Sequence, residues 1–269
     1  MISHLLVKVA RTAKRSDTLQ FPARVGFAVN GLLHLLIAGI AIAIAVGGGG
    51  TADQSGAFGQ LAAGPGGVFV LWTIVVGLFA LGVWLFLGAF LMQGADSKRK
   101  WSHRVVETSK AAVYLALAGT AATFALGGTT NSAGSTRDTS ARLMAAPGGV
   151  FVLLLAAVVV LIIGAYFVQK GARRKFTADI SVPTGPAGPA IIALGVVGYI
   201  AKGIALGVVA LLVGVAALTR DPNKSTGLDG ALKSLAALPA GETILIAIAI
   251  GLITYEAYCF ARAWRARLY

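Results

Sequence analysis

Long apolar segments alternate with polar loops along the whole chain. The six apolar runs cover 25–46, 68–92, 110–126, 150–168, 191–218 and 243–260. Most of them approach the roughly 20 residues that a helix needs to cross a bilayer, and the third is short. They also lack the polar face that a helix of a soluble bundle presents to water. The pattern therefore predicts six membrane-spanning helices.

The same order of segments occurs three times. Each unit has an apolar segment, a polar loop, a second apolar segment that opens on Pro-x-Gly, and a basic stretch; the openings begin at Pro65, Pro147 and Pro239. A recurring unit of this size indicates a repeated structural element. Two spans per unit give every copy the same orientation. The sequence thus predicts an all-α integral membrane fold of three parallel-related hairpins, pseudo-threefold about the membrane normal.

The repeats also set the predicted domain boundaries. We expect a basic amphipathic segment over 1–23, repeat 1 over 24–101, repeat 2 over 102–176, a Pro/Gly linker over 177–189 and repeat 3 over 190–269. In the first segment, apolar residues share one helical face while basic residues occupy the rest, which is typical of a helix on a membrane surface. A frayed basic tail explains the same residues equally well.

The distribution of basic residues predicts the orientation. Seventeen Lys and Arg residues lie at the two ends of the chain or between the hairpins, whereas the three loops inside the hairpins hold only five. Because basic residues concentrate on the cytoplasmic side, both termini are expected there.

Composition supports a membrane protein over a nucleic-acid-binding one. Hydrophobic residues make up 57% of the chain and charged residues 12%, with a mean hydropathy of +0.82. The net charge of +13 comes from residues that flank apolar spans. No nucleic-acid fold signature accompanies them. The expected partners are therefore anionic lipid headgroups at the cytoplasmic face and an envelope protein, but no nucleic acid.

Two motifs in the repeats resemble those of a known bacterial membrane family. The segments Gly198 to Gly203 and Gly251 to Tyr258 carry Gly-Tyr-x-x-basic-Gly and Gly-Leu followed by an aromatic end. Gly26 to Gly31, with Asn30 in place of the basic residue, and Gly77 to Trp84 are weaker copies. They are similar to the family called domain of unknown function 1206, which implies three two-helix units and no established activity.

Two full charges, Lys202 and Glu256, lie well inside predicted spans. A charge facing lipid costs about 2.5–3.5 kcal/mol on insertion scales, so the two are expected to pair within one hairpin. The pair either fixes helix register or belongs to a polar layer that lines a solute pathway. The candidate layer consists of Asn30, His34, Lys110, Tyr114, Lys202 and Glu256.

Small residues and loop residues give two further expectations. Gly203 and Gly207 are spaced for close helix packing. Each outer loop is about twenty residues long and carries an apolar triplet before its Pro-x-Gly opening, the last being Leu235-Ala236-Ala237. We therefore expect a short amphipathic helix in each loop, the three together forming a cap.

Catalytic and metal motifs are missing from the sequence. There is no His-Glu-x-x-His, Gly-x-Ser-x-Gly or Walker-type motif. The three histidines are dispersed, so no metal or cofactor is expected. The leading hypothesis is a non-catalytic scaffold or accessory subunit of the bacterial envelope. The alternative is a small transporter or channel that carries a polar or anionic solute past the polar layer.

Overall fold

A computed structural model describes residues 17–90, 97–180 and 182–265. Most of the amphipathic segment predicted over 1–23 therefore lies outside the described residues, although Asp17 already belongs to the first helix. The described residues are predominantly helical. Their α-helices are α1 (Asp17–Ala45), α2 (Gln54–Ala63), α3 (Gly67–Phe90), α4 (Ser97–Ala125), α5 (Ser132–Ala145), α6 (Gly149–Ala172), α7 (Ala187–Thr219), α8 (Gly227–Ala236) and α9 (Gly241–Arg265).

Five of the long helices are apolar enough to cross a membrane. These candidate spans are Ala28–Ala45, Gly67–Ala89, Gly149–Ala172, Ala187–Thr219 and Gly241–Phe260. The third predicted span falls in α4, which is 29 residues long but is not among the five. The reason is the charge of its first half, since Arg104, Glu107 and Lys110 leave too short an apolar stretch behind them.

A short helix occupies each loop inside a hairpin, which confirms that part of the loop prediction. These cap helices are α2, α5 and α8. Each has an inward face: Ala57 and Phe58 of α2 are fully buried, as are Ala231 and Leu232 of α8. In two of these helices, the side chain that precedes the first turn accepts a hydrogen bond from a backbone N–H of that turn. Asp53 accepts from Gly56 N at 3.0 Å, and Asn131 accepts from Gly134 N at 2.8 Å.

The Pro-x-Gly opening joins each cap helix to the next long helix by the same turn. Its middle residue adopts a positive φ in all three copies, at Gly66 (73°), Gly148 (75°) and Ala240 (59°). Glycine is favoured there because a Cβ atom strains this conformation. The following glycine is needed for a different reason. A Cβ on Gly67 would collide with the carbonyl oxygen of Leu61, and the other two copies show the same crowding.

The chain divides into two compact units, of which the first contains Met1–Asn30 and Phe58–Thr130. Within it α3 packs along α4. Leu81, Leu85 and Ala111 form a buried cluster, against which Trp84 and Tyr114 pack. Near the cap, the rings of Phe58 and Phe124 lie 5.9 Å apart. This unit thus places α2, α3 and α4 around one apolar core.

The second unit contains Gly31–Ala57 and Asn131–Tyr269. It holds the second half of α1, the start of α2, and α5 to α9. The helix pairs α6 with α7 and α7 with α9 supply its main packing. Its apolar core is a cluster of aromatic side chains with Ile180, and the cavity described below lies in this unit.

Candidate functional site

A cavity of about 260 Å³ lies in the second unit, between the cap helices and the middle of the long helices. Its cap side is formed by polar residues at the starts of the three cap helices, Asp53, Gln54, Ser132, Thr136 and Thr226. Its far side is formed by His34 of α1 and Lys202 of α7. Apolar residues of α7 and α9 line the wall between the two ends. The cavity is therefore polar at both ends and apolar along its side.

Lys202 projects from the face of α7 that borders the cavity. Ala205, Leu206 and Val209 follow it at spacings of three, four and seven residues, which share one side of a helix, and all three line the cavity. The side chain of Lys202 has no carboxylate within 4.0 Å among the described residues. Its Nζ instead lies 4.2 Å from the centre of the Tyr255 ring, a cation–π distance. The ammonium thus borders the cavity without a direct ion pair, and Glu256 acts on it only from beyond 4.0 Å.

Aromatic side chains pack on the other side of Lys202. The Tyr199 ring stacks on Phe176 at 5.3 Å and on Phe167 at 5.6 Å, and it meets Tyr255 edge-on at 5.1 Å. The hydroxyl of Tyr258 donates a hydrogen bond to the Phe176 carbonyl at 3.3 Å. Tyr199 precedes Lys202 by three residues, on the side away from the cap. These rings are not among the residues that line the cavity, and they form an aromatic layer at the level of Tyr199, on the side of Lys202 away from the cap.

The partner of Glu256 differs from the one expected. The sequence predicts a pair with Lys202, whereas in the structure His34 Nδ1 lies 3.3 Å from Glu256 Oε1. Glu256 is fully buried and His34 is 19% exposed at its side chain. The difference arises because Lys202 turns toward the Tyr255 ring and the cavity. His34, a member of the predicted polar layer, thus borders the cavity and also contacts the buried acid.

Glu256 occupies a position that is glycine in the other two repeats. Counted from the Pro-x-Gly openings, it is equivalent to Gly82 and Gly164. At each of these positions a long helix meets the first helix of another repeat through a small residue. The facing pairs are Ala111 with Gly82, Gly203 with Gly164, and Gly31 with Glu256. The third repeat therefore brings a carboxylate into a crossing that the others build from backbone.

A second acid, Asp53, is buried at the cap end of the cavity. It is 2% exposed. Its Oδ1 accepts hydrogen bonds from Ser55 Oγ at 2.6 Å and from Gly56 N at 3.0 Å. Its Oδ2 has no hydrogen-bond partner among the described residues. Since a buried carboxylate is costly without full pairing, this oxygen is a natural position for a ligand donor.

Other hydrogen bonds fix the cap segments to one another. Asp229 accepts from Ala52 N and from Lys233 Nζ, both at 2.8 Å. Ser140 and Ser225 share a buried hydrogen bond of 2.8 Å. These contacts join the segment before α2 to α8, and α5 to the segment before α8. The cap end of the cavity is consequently a connected polar surface and not three independent loops.

The remaining members of the predicted polar layer lie in the first unit. Lys110 is about half exposed and pairs with Glu107 at 2.9 Å. Asn30 is half-buried, and Tyr114 packs against the cluster around Leu81. The second unit thus brings together His34, Lys202 and Glu256, which were three of the six candidates. Among the described residues, no group of three His, Cys, Asp or Glu side chains gathers as in a metal site.

Gly203 and Gly207 are placed differently at the crossing of α7 with α6. A Cβ on Gly203 would lie 2.6 Å from the Gly164 carbonyl oxygen and 2.6 Å from Val168 Cγ2. A Cβ on Gly207 would meet nothing within 4 Å, although its backbone nitrogen lies near Gly164. The close approach of the two helices therefore depends on Gly203 in particular.

Sequence reasoning missed the cap residues of the cavity. Asp53, Ser132 and Thr226 were not among the candidate residues, because their role depends on how three distant loops fold together. One signal was present: Asp53 and Asn131 each precede a glycine by three residues, which is a helix-start pattern. That pattern places a carboxylate at the inner end of a cap helix but does not reveal its free oxygen.

The sequence also matches the profile of a known protein family. The profile of the family described as "Domain of Unknown Function (DUF1206)" matches three successive segments, residues 25–91, 108–174 and 197–266. The chain belongs to this family. The match confirms the resemblance found in the Gly-Tyr-x-x-basic-Gly and Gly-Leu motifs, and it confirms three repeated copies.

A bacterial relative extends over nearly the same length. The chain is 30% identical over 246 residues to "Uncharacterized protein YxxB" of Bacillus subtilis (strain 168). The similarity covers 89% of this chain and 88% of that protein. No solved structure matches the chain. The comparisons therefore support a membrane-like helical protein of the family, and the cavity is the basis for any more specific function.

Proposed function

We propose that the chain is a multi-pass protein of the bacterial plasma membrane with six spans and both termini in the cytoplasm. The charge asymmetry of the sequence supports this orientation. The sixth span would be α4, because its 29 residues extend roughly 44 Å at 1.5 Å each, enough to cross a bilayer core of about 30 Å. Its basic first half would then lie at the cytoplasmic headgroups, where anionic lipids are the proposed partners.

The pseudo-threefold arrangement of the three hairpins is part of the same proposal. Its support is local: the crossings at Gly82, Gly164 and Glu256 use equivalent positions of successive repeats. Each crossing joins the second helix of one repeat to the first helix of another, including repeat 3 to repeat 1. Such a cyclic order of contacts is expected for three related units around one axis.

The proposed activity is the binding of a small polar or anionic solute within the membrane, as a step in its transport. One observation carries this proposal, the cavity that joins the polar cap residues to Lys202 and His34. A half-buried ammonium with no carboxylate in direct contact favours an anionic group. The cavity falls just below the roughly 300–1,000 Å³ of typical drug-sized pockets, so the solute is small.

The aromatic layer supports a closed binding site in preference to an open channel. Phe167, Phe176 and Tyr199 stack directly beyond Lys202. A solute that enters from the cap would stop at Lys202 and could pass farther only if these rings moved. Alternating opening of the two sides is the usual requirement for a transporter. We propose no chemical reaction, since the cavity lacks a paired nucleophile and base.

An accessory or scaffold role in the envelope remains a second candidate. The observation that favours it is the exposed surface of α6, the least buried candidate span, in which 17% of the residues are buried. Phe151, Leu155 and Ile162 are all exposed there. A partner helix would cover this face as well as lipid does. Photo-crosslinking from Ile162 in cells tests the role, and a complete lack of protein adducts would count against it.

Filling the cavity tests the proposed solute binding. Val209→Trp places a large ring in the cavity, whereas Leu211→Trp changes the opposite, 61% exposed side of α7. The melting temperature of the purified protein would be measured with carboxylates, phosphate, polyols and amino acids. We expect at least one solute to raise it for the wild type and Leu211→Trp but not for Val209→Trp. No shift with any solute, or an equal shift in all three proteins, would refute the proposal.

A further inference from the structure

The two ends of the cavity carry opposite charges. Lys202 provides an ammonium at the membrane end, and Asp53 provides a carboxylate at the cap end. No described residue places an opposite charge within 4.0 Å of either group, and Glu256 acts on Lys202 only from a greater distance. Both side chains nevertheless border one cavity. A ligand that satisfies both must itself carry a negative and a positive group.

We propose that the solute is a small aliphatic zwitterion of the amino acid type. Its carboxylate binds Lys202, and its ammonium binds the free Oδ2 of Asp53. This inference rests on the proposed solute binding and narrows it to one chemical class. It differs from the anionic solute expected on the basis of Lys202 alone.

The free oxygen of Asp53 is the more selective half of the site. Oδ1 is already used by Ser55 and Gly56, which fix the carboxylate in place at the start of α2. Oδ2 is buried and accepts nothing from the described residues. A ligand ammonium supplies both the missing donors and the missing charge. A purely anionic ligand would instead be repelled by this acid.

Size and lining define the rest of the ligand. A volume of about 260 Å³ equals roughly eight to nine water molecules at about 30 Å³ each. Leu206, Val209 and Leu252 provide an apolar wall between the charged ends. An aliphatic side chain fits against that wall, whereas a second charged group would find no partner there. His34 does not offer a free charge, because it lies 3.3 Å from Glu256.

The test compares one zwitterion with its two single-charge analogues. Leucine, isocaproate and isoamylamine share the same branched skeleton and differ in their charged groups. γ-Aminobutyrate is added to vary the separation of the two charges. Binding to the full-length protein in lipid nanodiscs would be measured by titration calorimetry. We expect one of the two amino acids to bind at least about tenfold more tightly than either single-charge analogue.

The variant Asp53→Asn tests the contribution of the carboxylate charge to ligand binding. Asparagine keeps the oxygen that caps α2, so the fold is expected to survive. The substitution should weaken binding of the zwitterion at least about tenfold. The affinity for isocaproate should stay the same or increase. Asp138→Asn is the matched control, because Asp138 is an exposed acid of the next cap helix and pairs with Arg137. It should change neither affinity.

Three results would overturn the proposed zwitterion while leaving solute binding intact. One is isocaproate or another anion binding as tightly as the amino acids. Another is zwitterion binding that Asp53→Asn does not weaken. If none of these four probes binds but another polar solute stabilises the protein, the zwitterion is likewise excluded and the cavity still has a ligand.

Discussion

Replacing Gly203 with leucine is expected to destabilise the protein by more than about 3 kcal/mol, at the upper end of overpacking effects in a folded core. The added side chain would start 2.6 Å from a carbonyl oxygen of α6. Because that obstacle is backbone, relief requires α6 and α7 to separate along the crossing. The loss would be measured as a lower melting temperature and a lower monodisperse yield in detergent.

Gly207→Leu provides the control one helical turn away. The chemical change is identical, but a Cβ at this position meets no atom within 4 Å. We expect a stability close to that of the wild type. Equal effects of the two substitutions would show that the crossing does not depend on contact at Gly203, and the support for three equivalent crossings would weaken accordingly.

Replacing Lys202 with methionine is expected to abolish solute binding without harming the fold. Removing one partner of a buried charged contact costs about 2–5 kcal/mol, which corresponds to a loss of roughly thirtyfold or more in affinity. The fold should tolerate the change, because Lys202 has no ion pair within 4.0 Å to lose and the methionine thioether can pack against the Tyr255 ring in place of the ammonium. The melting temperature without solute should therefore stay the same or rise.

Lys110→Met is the matched control for this substitution. Lys110 occupies the equivalent position of repeat 2 but is exposed and pairs with Glu107 in the other unit. It should retain the wild-type affinity for whichever solute stabilises the protein. If Lys202→Met binds that solute as tightly as the wild type, the ammonium plays no part in recognition and the proposed site is wrong.

Sequence patterns were sufficient for the helices and the repeats. Long apolar runs and recurring Pro-x-Gly openings have local causes, namely the bilayer thickness and a positive-φ turn. For the same reason a short helix in each loop could be predicted from an apolar triplet. The α4 span was the hardest, since its charges and its apolar stretch lie on one continuous helix.

The cavity could not be predicted because it depends on contacts between distant segments. Asp53 and Lys202 are separated by most of two repeats, and the cap bonds around Asp229 bring their elements together. His34, and not Lys202, lies next to Glu256, and this also depends on how the helices pack in three dimensions. Counting charges within spans identified the right residues but not their partners.

The central feature of the proposed solute site is a water-filled cavity that opens from the cap. Single cysteines at Val209 and at Leu211 would be introduced into a Cys259→Ala protein and exposed in intact cells to a membrane-impermeant thiol reagent. Asn223→Cys, in the exposed loop before α8, shows that the reagent reaches the cap. A thiol reacts as the thiolate and therefore needs water.

We predict that the cysteines at 209 and 223 react and that the one at 211, on the exposed apolar side of α7, does not. Reaction at 223 alone would mean a dry axis without access to Lys202, and it would contradict the proposed solute site.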